Sequence, residues 1–126
     1  MNKILIVEDD KEVGKMLQRA FRLSGFEVDL VTDGEMALDH LRANSILPQA
    51  MIIDVVMPNM SGLDLLMNIK KEVRLKEIPI MVLTNSFVKE NEQQFLALGA
   101  DMYLVKIEHK TKEVIEQINK LIESKK

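Results

Sequence analysis

Short aliphatic runs and amphipathic stretches alternate along the chain. Unbroken apolar runs stand at residues 4–7 (Ile4, Leu5, Ile6, Val7), 51–53, 80–83 and 102–105. Such runs, lacking polar alternation, predict strands buried on both faces, as in a parallel sheet. Residues 26–31, Phe-Glu-Val-Asp-Leu-Val, do alternate, which predicts a strand with one wetter face at a sheet edge. Between the runs the period becomes helical. Val13, Met16, Leu17, Ala20 and Phe21 recur at helix spacing, with Gly25 as the following cap. A second helix spans residues 34–43, with Asp33 as N-cap and Met36, Ala37, Leu38 and Leu41 available for burial. A third begins after Ser61, with Asp64 three residues on as in a capping box, and buries Leu65, Leu66, Ile69 and Val73. A fourth covers residues 88–98, polar from Lys89 to Gln94, with Phe95, Leu96 and Leu98 before a stop at Gly99. The last, residues 111–124, places Val114, Ile115, Ile118, Leu121 and Ile122 on one face.

Strand–helix alternation five times over predicts an α/β fold with a parallel sheet and right-handed crossovers. At 126 residues the chain supplies one core of this kind. A formal charge of −3 argues against direct nucleic-acid binding. The absence of cysteine excludes disulfides, thiolate catalysis and cysteine-based zinc sites. The apolar run at residues 4–7 is too short for a signal-peptide core or a membrane span, and a cytoplasmic location is expected.

In open parallel α/β sheets, ligands bind beyond the carboxyl ends of the strands. Here those ends carry Glu8, Asp9 and Asp10 after the first strand, and Asp54 after the third. Thr84 ends the fourth and Lys106 comes after the fifth. Adjacent carboxylates facing another carboxylate repel unless a cation sits among them. Oxygen-only ligands in small number suit Mg2+, which keeps several waters and often also holds a phosphate. Lys106 can neutralise a phosphoryl oxygen, and Thr84 can donate a hydrogen bond to another. Each residue alone has an ordinary use, as helix cap, turn former, β-branched strand residue or solvated strand end. Their conjunction on one edge points to an anion carried on a carboxylate beside a divalent metal.

Four segments then match a known pattern. They are Ile4 through Asp10; Asp54-Val55-Val56-Met57-Pro58-Asn59-Met60-Ser61-Gly62; Pro79 through Thr84; and Gly99-Ala100-Asp101-Met102-Tyr103-Leu104-Val105-Lys106. With these the chain resembles the receiver domain of bacterial two-component response regulators over essentially its whole length. The resemblance implies a doubly wound, flavodoxin-like (βα)5 fold of five parallel strands in the order 2-1-3-4-5. It implies that Asp54 is the phosphoryl acceptor. It also implies that Glu8 and Asp9 hold Mg2+, Asp9 directly and Glu8 through water, with Asp54 and the Val56 carbonyl completing the site. Thr84 and Lys106 would contact the phosphoryl group, and the rotamer of Tyr103 would track Thr84. The donor would be a phosphohistidine on a histidine kinase or phosphotransfer protein. The readout would be a shift of the surface formed by the fourth helix, fifth strand and fifth helix, toward a downstream protein partner. The expected form is a single receiver domain over residues 1–126, without effector domain or enzymatic output, as a monomer or weak homodimer.

Two positions depart from the family pattern. Ile107 stands where a proline in a cis peptide usually comes after the lysine. A cis bond before a non-proline residue costs about 2.5–4 kcal/mol, so a trans Lys106–Ile107 link and a different path to residue 110 are expected. Asn85 stands where a small residue is usual after the threonine, and its larger side chain is expected either to narrow access to Asp54 or to hold a water. These departures favour the alternative of a pseudo-receiver, a protein-interaction module working without phosphorylation. Rival enzymes on similar folds lack their marks. No acid stands two residues after Asp54 as a dehalogenase-type phosphatase requires, and Glu8-Asp9-Asp10 would repel a cofactor phosphate. No Gly-x-x-x-x-Gly-Lys-Ser/Thr segment is present. Met51, Met57, Met60 and Met67 read as gap-filling residues, and His40 and His109, far apart, do not form a zinc site.

Overall fold

The computed structural model describes residues 2–85 and 88–126. The elements run β1 (Lys3–Val7), α1 (Lys11–Leu23), β2 (Glu27–Val31), α2 (Gly34–Ala43), β3 (Ala50–Ile53), α3 (Gly62–Lys71), β4 (Ile80–Thr84), α4 (Lys89–Ala97), β5 (Met102–Val105), a 3-10 turn (Lys106–Glu108) and α5 (Thr111–Ser124). All strand pairings are parallel, in the order β2-β1-β3-β4-β5. The expected edge strand is therefore an edge, and the switch point lies between β1 and β3.

The sheet separates two cores, and strand periodicity sorts residues between them. Leu5, Val7, Met51, Ile53, Ile80 and Val82 face α2, α3 and α4, meeting Leu38, Leu41, Leu65, Leu66, Ile69 and Phe95. Ile4, Ile6, Ala50, Ile52, Met81 and Leu83 face α1 and α5, meeting Leu17, Phe21, Val114, Ile118 and Ile122. Successive strand residues point to opposite faces, so a continuous apolar run feeds both layers. Each fully buried aliphatic or aromatic side chain contributes about 1.5–3 kcal/mol of transfer free energy.

Helix starts obey the sequence. The Asp10 side chain accepts from the backbone N–H of Glu12 and Val13 at 3.0 and 3.2 Å, Asp33 from Met36 at 2.8 Å, and Ser61 from Asp64 at 3.2 Å. Gly25 comes after α1 at φ 94°, a left-handed conformation that costs glycine nothing.

Some burial expectations do not hold. Val73 is exposed, because α3 ends at Lys71 and Glu72 turns to an extended backbone, φ −98° and ψ 121°. Arg42 on α2 grips the Glu72 carboxylate through Nε and Nη2, the latter at 2.8 Å, which fixes this exit. Leu75 and Ile78 take the buried places instead. Met36 is also exposed, in the first turn of α2, where its sulfur accepts from the Thr32 hydroxyl. On α1, Met16 faces solvent, and the buried stripe narrows to Gly14, Leu17 and Phe21. Of the four methionines, Met51 and Met57 fill the core, Met60 packs against it and Met67 is exposed.

On the edge strand β2, Val28 faces the α1–α5 core and Val31 the opposite core, while Asp29, on the same face as Val31, is only half-buried. The Asp29 carboxylate meets Lys3 Nζ at 3.1 Å and His40 Nε2 at 3.0 Å. Burial alone would raise its pKa, but Lys3 and then His40 outweigh it and hold the carboxyl below its ordinary value. A depressed acid contributes stability above its unfolded value and loses it as pH falls through the folded one. Asp29→Asn is therefore expected to cost under about 1 kcal/mol at neutral pH. The difference should begin to shrink as pH falls below about 4 and vanish only once pH is below the depressed folded value, measured by urea unfolding across that range. An unchanged difference in acid would show that the pair contributes nothing by its charge.

Candidate functional site at the carboxyl edge of the sheet

Neighbouring parallel strands end level with one another, so the residues just beyond each strand meet those beyond its neighbour. Glu8 and Asp9 leave β1, Asp54 leaves β3, Thr84 ends β4 and Lys106 leaves β5. These residues gather at the switch point. Glu8, Asp9, Asp10, Asp54, Val56, Thr84 and Asn85 line a cleft of about 330 Å³. Glu8, Asp9 and Asp54 each offer a carboxylate oxygen within 4.8 Å of the others.

Their environments differ. Glu8 is 3% exposed, Asp54 7% and Thr84 4%, whereas Asp9 and Val56 are open to solvent. The Glu8 Oε1 atom accepts a hydrogen bond from Lys106 Nζ, and Oε2 accepts from the Asp10 N–H at 3.2 Å. Burial pushes the Glu8 carboxyl above its usual range. Lys106 draws it back, and the adjacent Asp54 pushes it further up. Lys106 Nζ also lies 3.8 Å from Asp54 Oδ2. Asp54 Oδ1 accepts from the N–H of Val55 at 2.7 Å, and its own N–H reaches Val7 O at 3.2 Å. One carboxylate oxygen is thus tied to the backbone while the other faces the ammonium.

Asp10 departs from the expected acid cluster. It borders the cleft, but one carboxylate oxygen takes the first N–H groups of α1, so three acids converge rather than four. Asn85 is exposed and lines the cleft, as its position suggested. No cis peptide occurs among the described residues, and Lys106–Ile107 is trans. The chain takes a single 3-10 turn over Lys106–Glu108, closed by the His109 N–H on Lys106 O at 3.2 Å. Lys106 is nevertheless aimed at the acids.

Two relations of the site, of Asn59 to Asp33 and of Gly62 to Asp54, were not singled out from the sequence; Tyr103 was, as the aromatic expected to track Thr84. Asn59 sits at φ 67° in the loop after Asp54, and its Nδ2 donates to Asp33 Oδ2 at 3.0 Å. Asp33, buried, thereby serves both the N-terminus of α2 and the β3–α3 loop. Gly62 donates its N–H to Val55 O at 2.9 Å, and a Cβ there would stand 2.1 Å from the Asp54 carbonyl oxygen. The Tyr103 hydroxyl is buried without a hydrogen-bond partner among the described residues. The glycine within Met-Ser-Gly was visible in the sequence; its approach to Asp54 was not.

The donor set is all oxygen, three acids from two strand ends, with one ammonium beside them. That chemistry suits a hard divalent cation with open positions for water and a phosphoryl oxygen. Among the described residues, no helix is long and apolar enough to cross a membrane.

Comparison with known proteins agrees with this geometry. Residues 4–119 match the family described as the response regulator receiver domain. The chain is 38% identical to the transcriptional regulatory protein CpxR of Escherichia coli over 106 residues, which is 84% of this chain but 43% of that protein. The chain therefore spans less than half the length of that relative. The receiver domain of the Francisella response regulator 1452 superposes with a TM-score of 0.89 at 28% identity, covering 100% of both chains. A phosphorylated cyanobacterial phytochrome response regulator, RcpA, superposes with a TM-score of 0.82 at 28% identity, covering 95% of this chain and 90% of that one.

Proposed function

The chain belongs to the response regulator receiver domain family, and from that premise we propose that it accepts a phosphoryl group on Asp54 and signals by the shift this causes. The observation that carries this is the setting of Asp54: a buried carboxylate at a strand end, beside Glu8 and Asp9, with Lys106 Nζ 3.8 Å from its outer oxygen. Likeness to a phosphorylated receiver supports it.

The donor is a phosphohistidine on a histidine kinase or phosphotransfer protein. The Asp54 carboxylate is the nucleophile: its oxygen forms the new bond to phosphorus as the P–N bond to the donor imidazole breaks. Such a transfer demands in-line placement and neutralisation of the oxygens, with little else from the protein. Glu8, Asp9 and Asp54, with the carbonyl of Val56, would hold Mg2+, whose contribution is charge neutralisation at the phosphoryl oxygens. Lys106 supplies a second positive charge, exchanging its partner Glu8 for the phosphoryl group. The Thr84 hydroxyl donates to another oxygen. That pull on the end of β4 biases the face formed by α4, β5 and α5, where the downstream partner binds.

Incubation with acetyl phosphate and Mg2+, then intact-protein mass, should yield one phosphoryl adduct that a chelator prevents. Lys106→Met should slow its formation about a hundredfold, the usual cost of removing one charge-stabilising donor. A folded protein that takes no phosphoryl group from acetyl phosphate or from phosphohistidine donors would support a phosphorylation-independent interaction module instead.

A further inference from the structure

At the amino edge of the sheet, the end opposite the acid cleft, two loops lie side by side. Residues 44–49 lead from α2 into β3, and residues 72–79 lead from α3 into β4. β3 and β4 are neighbours and start level, with the Met51 N–H on Pro79 O at 2.9 Å. Arg74 fastens the loops together: its Nη1 donates to Leu41 O at 2.8 Å and its Nη2 to Asn44 O. The second loop is also closed on itself. Leu75 and Lys76 donate their N–H groups to Glu72 O at 3.0 and 2.9 Å, and Lys70 Nζ donates to Lys76 O at 3.0 Å. What these loops display is therefore held in place.

Residues 70–76, Lys-Lys-Glu-Val-Arg-Leu-Lys, hold four cations and one acid. The acid, Glu72, is taken by Arg42. Lys70, Lys71, Arg74 and Lys76 have no carboxylate partner among the described residues. The dipole of α3 accounts for Lys70 and Lys71 in its last turn, but not for Arg74 and Lys76 beyond it. Two aliphatic side chains stand out among these charges. Leu47, Leu75 and Ile78 pack inward from the same loops, but Ile46 is 72% exposed and Val73 80%. A single exposed aliphatic is ordinary. Two on joined loops, set among cations, match a surface that carries anionic headgroups over an apolar layer.

We propose that this edge docks on a membrane surface rich in anionic phospholipid. Lys71, Arg74 and Lys76 meet the headgroup phosphates, and Ile46 and Val73 enter the acyl boundary. Lys70 adds its charge at longer range. Glu72, neutralised by Arg42, does not oppose the contact; the exposed Glu77 does, and it confines binding to surfaces of high anionic content. A nucleic acid offers phosphates but no layer for the aliphatics, and the net charge of −3 opposes its approach. β3 and β4 run away from this edge, so strands of four and five residues, at about 3.3 Å each, hold the acceptor cleft out toward solvent. The docking does not depend on the reading of Asp54 and is expected of the unmodified protein.

The test is co-sedimentation of the whole chain with vesicles of phosphatidylcholine alone, or of phosphatidylcholine and phosphatidylglycerol in equal parts. Binding should appear with the anionic vesicles only and weaken as salt rises. Lys71→Gln with Lys76→Gln should lower the partition coefficient about twenty-fivefold, or about fivefold for each charge removed near such a surface. Ile46→Ser with Val73→Ser should lower it about tenfold with the same salt dependence. All four side chains are exposed, so urea midpoints should match that of the parent. Lys15→Gln with Arg19→Gln removes two exposed charges from α1 and should leave binding unchanged.

No binding at low salt, or equal binding to the two kinds of vesicle, would overturn the proposal. An equal loss from the α1 pair would overturn its placement at the amino edge. Undiminished binding without Ile46 and Val73, or tighter binding to a random-sequence DNA duplex at equal phosphate concentration, would overturn the choice of lipid.

Discussion

Asp54→Asn is expected to abolish the phosphoryl adduct completely while the protein stays folded. The amide is nearly the same size as the carboxylate, and its oxygen can still accept from the Val55 N–H, now at 2.7 Å from Oδ1. The variant loses the nucleophilic anion. It also loses a negative charge within ligand distance of Glu8 and Asp9. Removing one of three converging like charges relieves repulsion. The urea midpoint of Asp54→Asn should accordingly match or exceed that of the parent. The pair of measurements, intact mass and urea unfolding, separates chemistry from folding. An adduct of undiminished yield in the folded variant would move the acceptor elsewhere, with the neighbouring Asp9 the first residue to test.

Gly62→Ala should be the most damaging single methyl that the acceptor loop can receive. A Cβ at this position stands 2.1 Å from the backbone oxygen of Asp54 and 3.2 Å from Val55 Cα. Both are main-chain atoms, so no side-chain rotation relieves the clash. Either the first turn of α3 or the end of β3 must move. The N–H of Gly62, which donates to Val55 O at 2.9 Å, moves with it. Overpacking in a tight interior costs typically 1–3 kcal/mol, and a backbone collision belongs at or above the top of that range. A loss of about 3 kcal/mol or more in urea unfolding is expected, together with slower phosphorylation, because the displaced atoms carry Asp54. A variant as stable as the parent would mean that the loop has room the described geometry does not show.

The fold was legible where one pattern had one structural meaning. The runs at residues 4–7, 51–53 and 80–83 are strands buried on both faces, and residues 26–31 carried their edge position in their alternation; residues 102–105 also form a strand, but at the other edge, where Met102 and Leu104 are only half-buried. The strand order came from family resemblance, because run composition does not say which strand lies beside which. Burial failed where a tertiary contact ended an element. Nothing in residues 70–75 announces that α3 stops at Lys71; the stop comes with Arg42 reaching across from α2 to Glu72. Val73 then sits in solvent although its spacing continues the helical stripe.

Much of the site was legible for a simple reason: parallel strands of similar length end together, so the residues at their ends meet. Glu8, Asp9, Asp54, Thr84 and Lys106 all belong to that class. Asp10 belongs to it by position, but the start of α1 claimed its side chain. The relations of Gly62 to Asp54 and of Asn59 to Asp33 each join separate elements at distances that sequence spacing does not encode.

The tie between Asn59 and Asp33 bears on how the chain can change over generations. At φ 67° the backbone of residue 59 would accept glycine with less strain than any other residue. Glycine would nevertheless forfeit the 3.0 Å bond that fastens the acceptor loop to the buried Asp33. The easiest drift for the local backbone is thus barred by a partner 26 residues away. Among functional descendants of this sequence, positions 33 and 59 should change together or hardly at all, and the loop that carries the acceptor inherits its anchor as a pair.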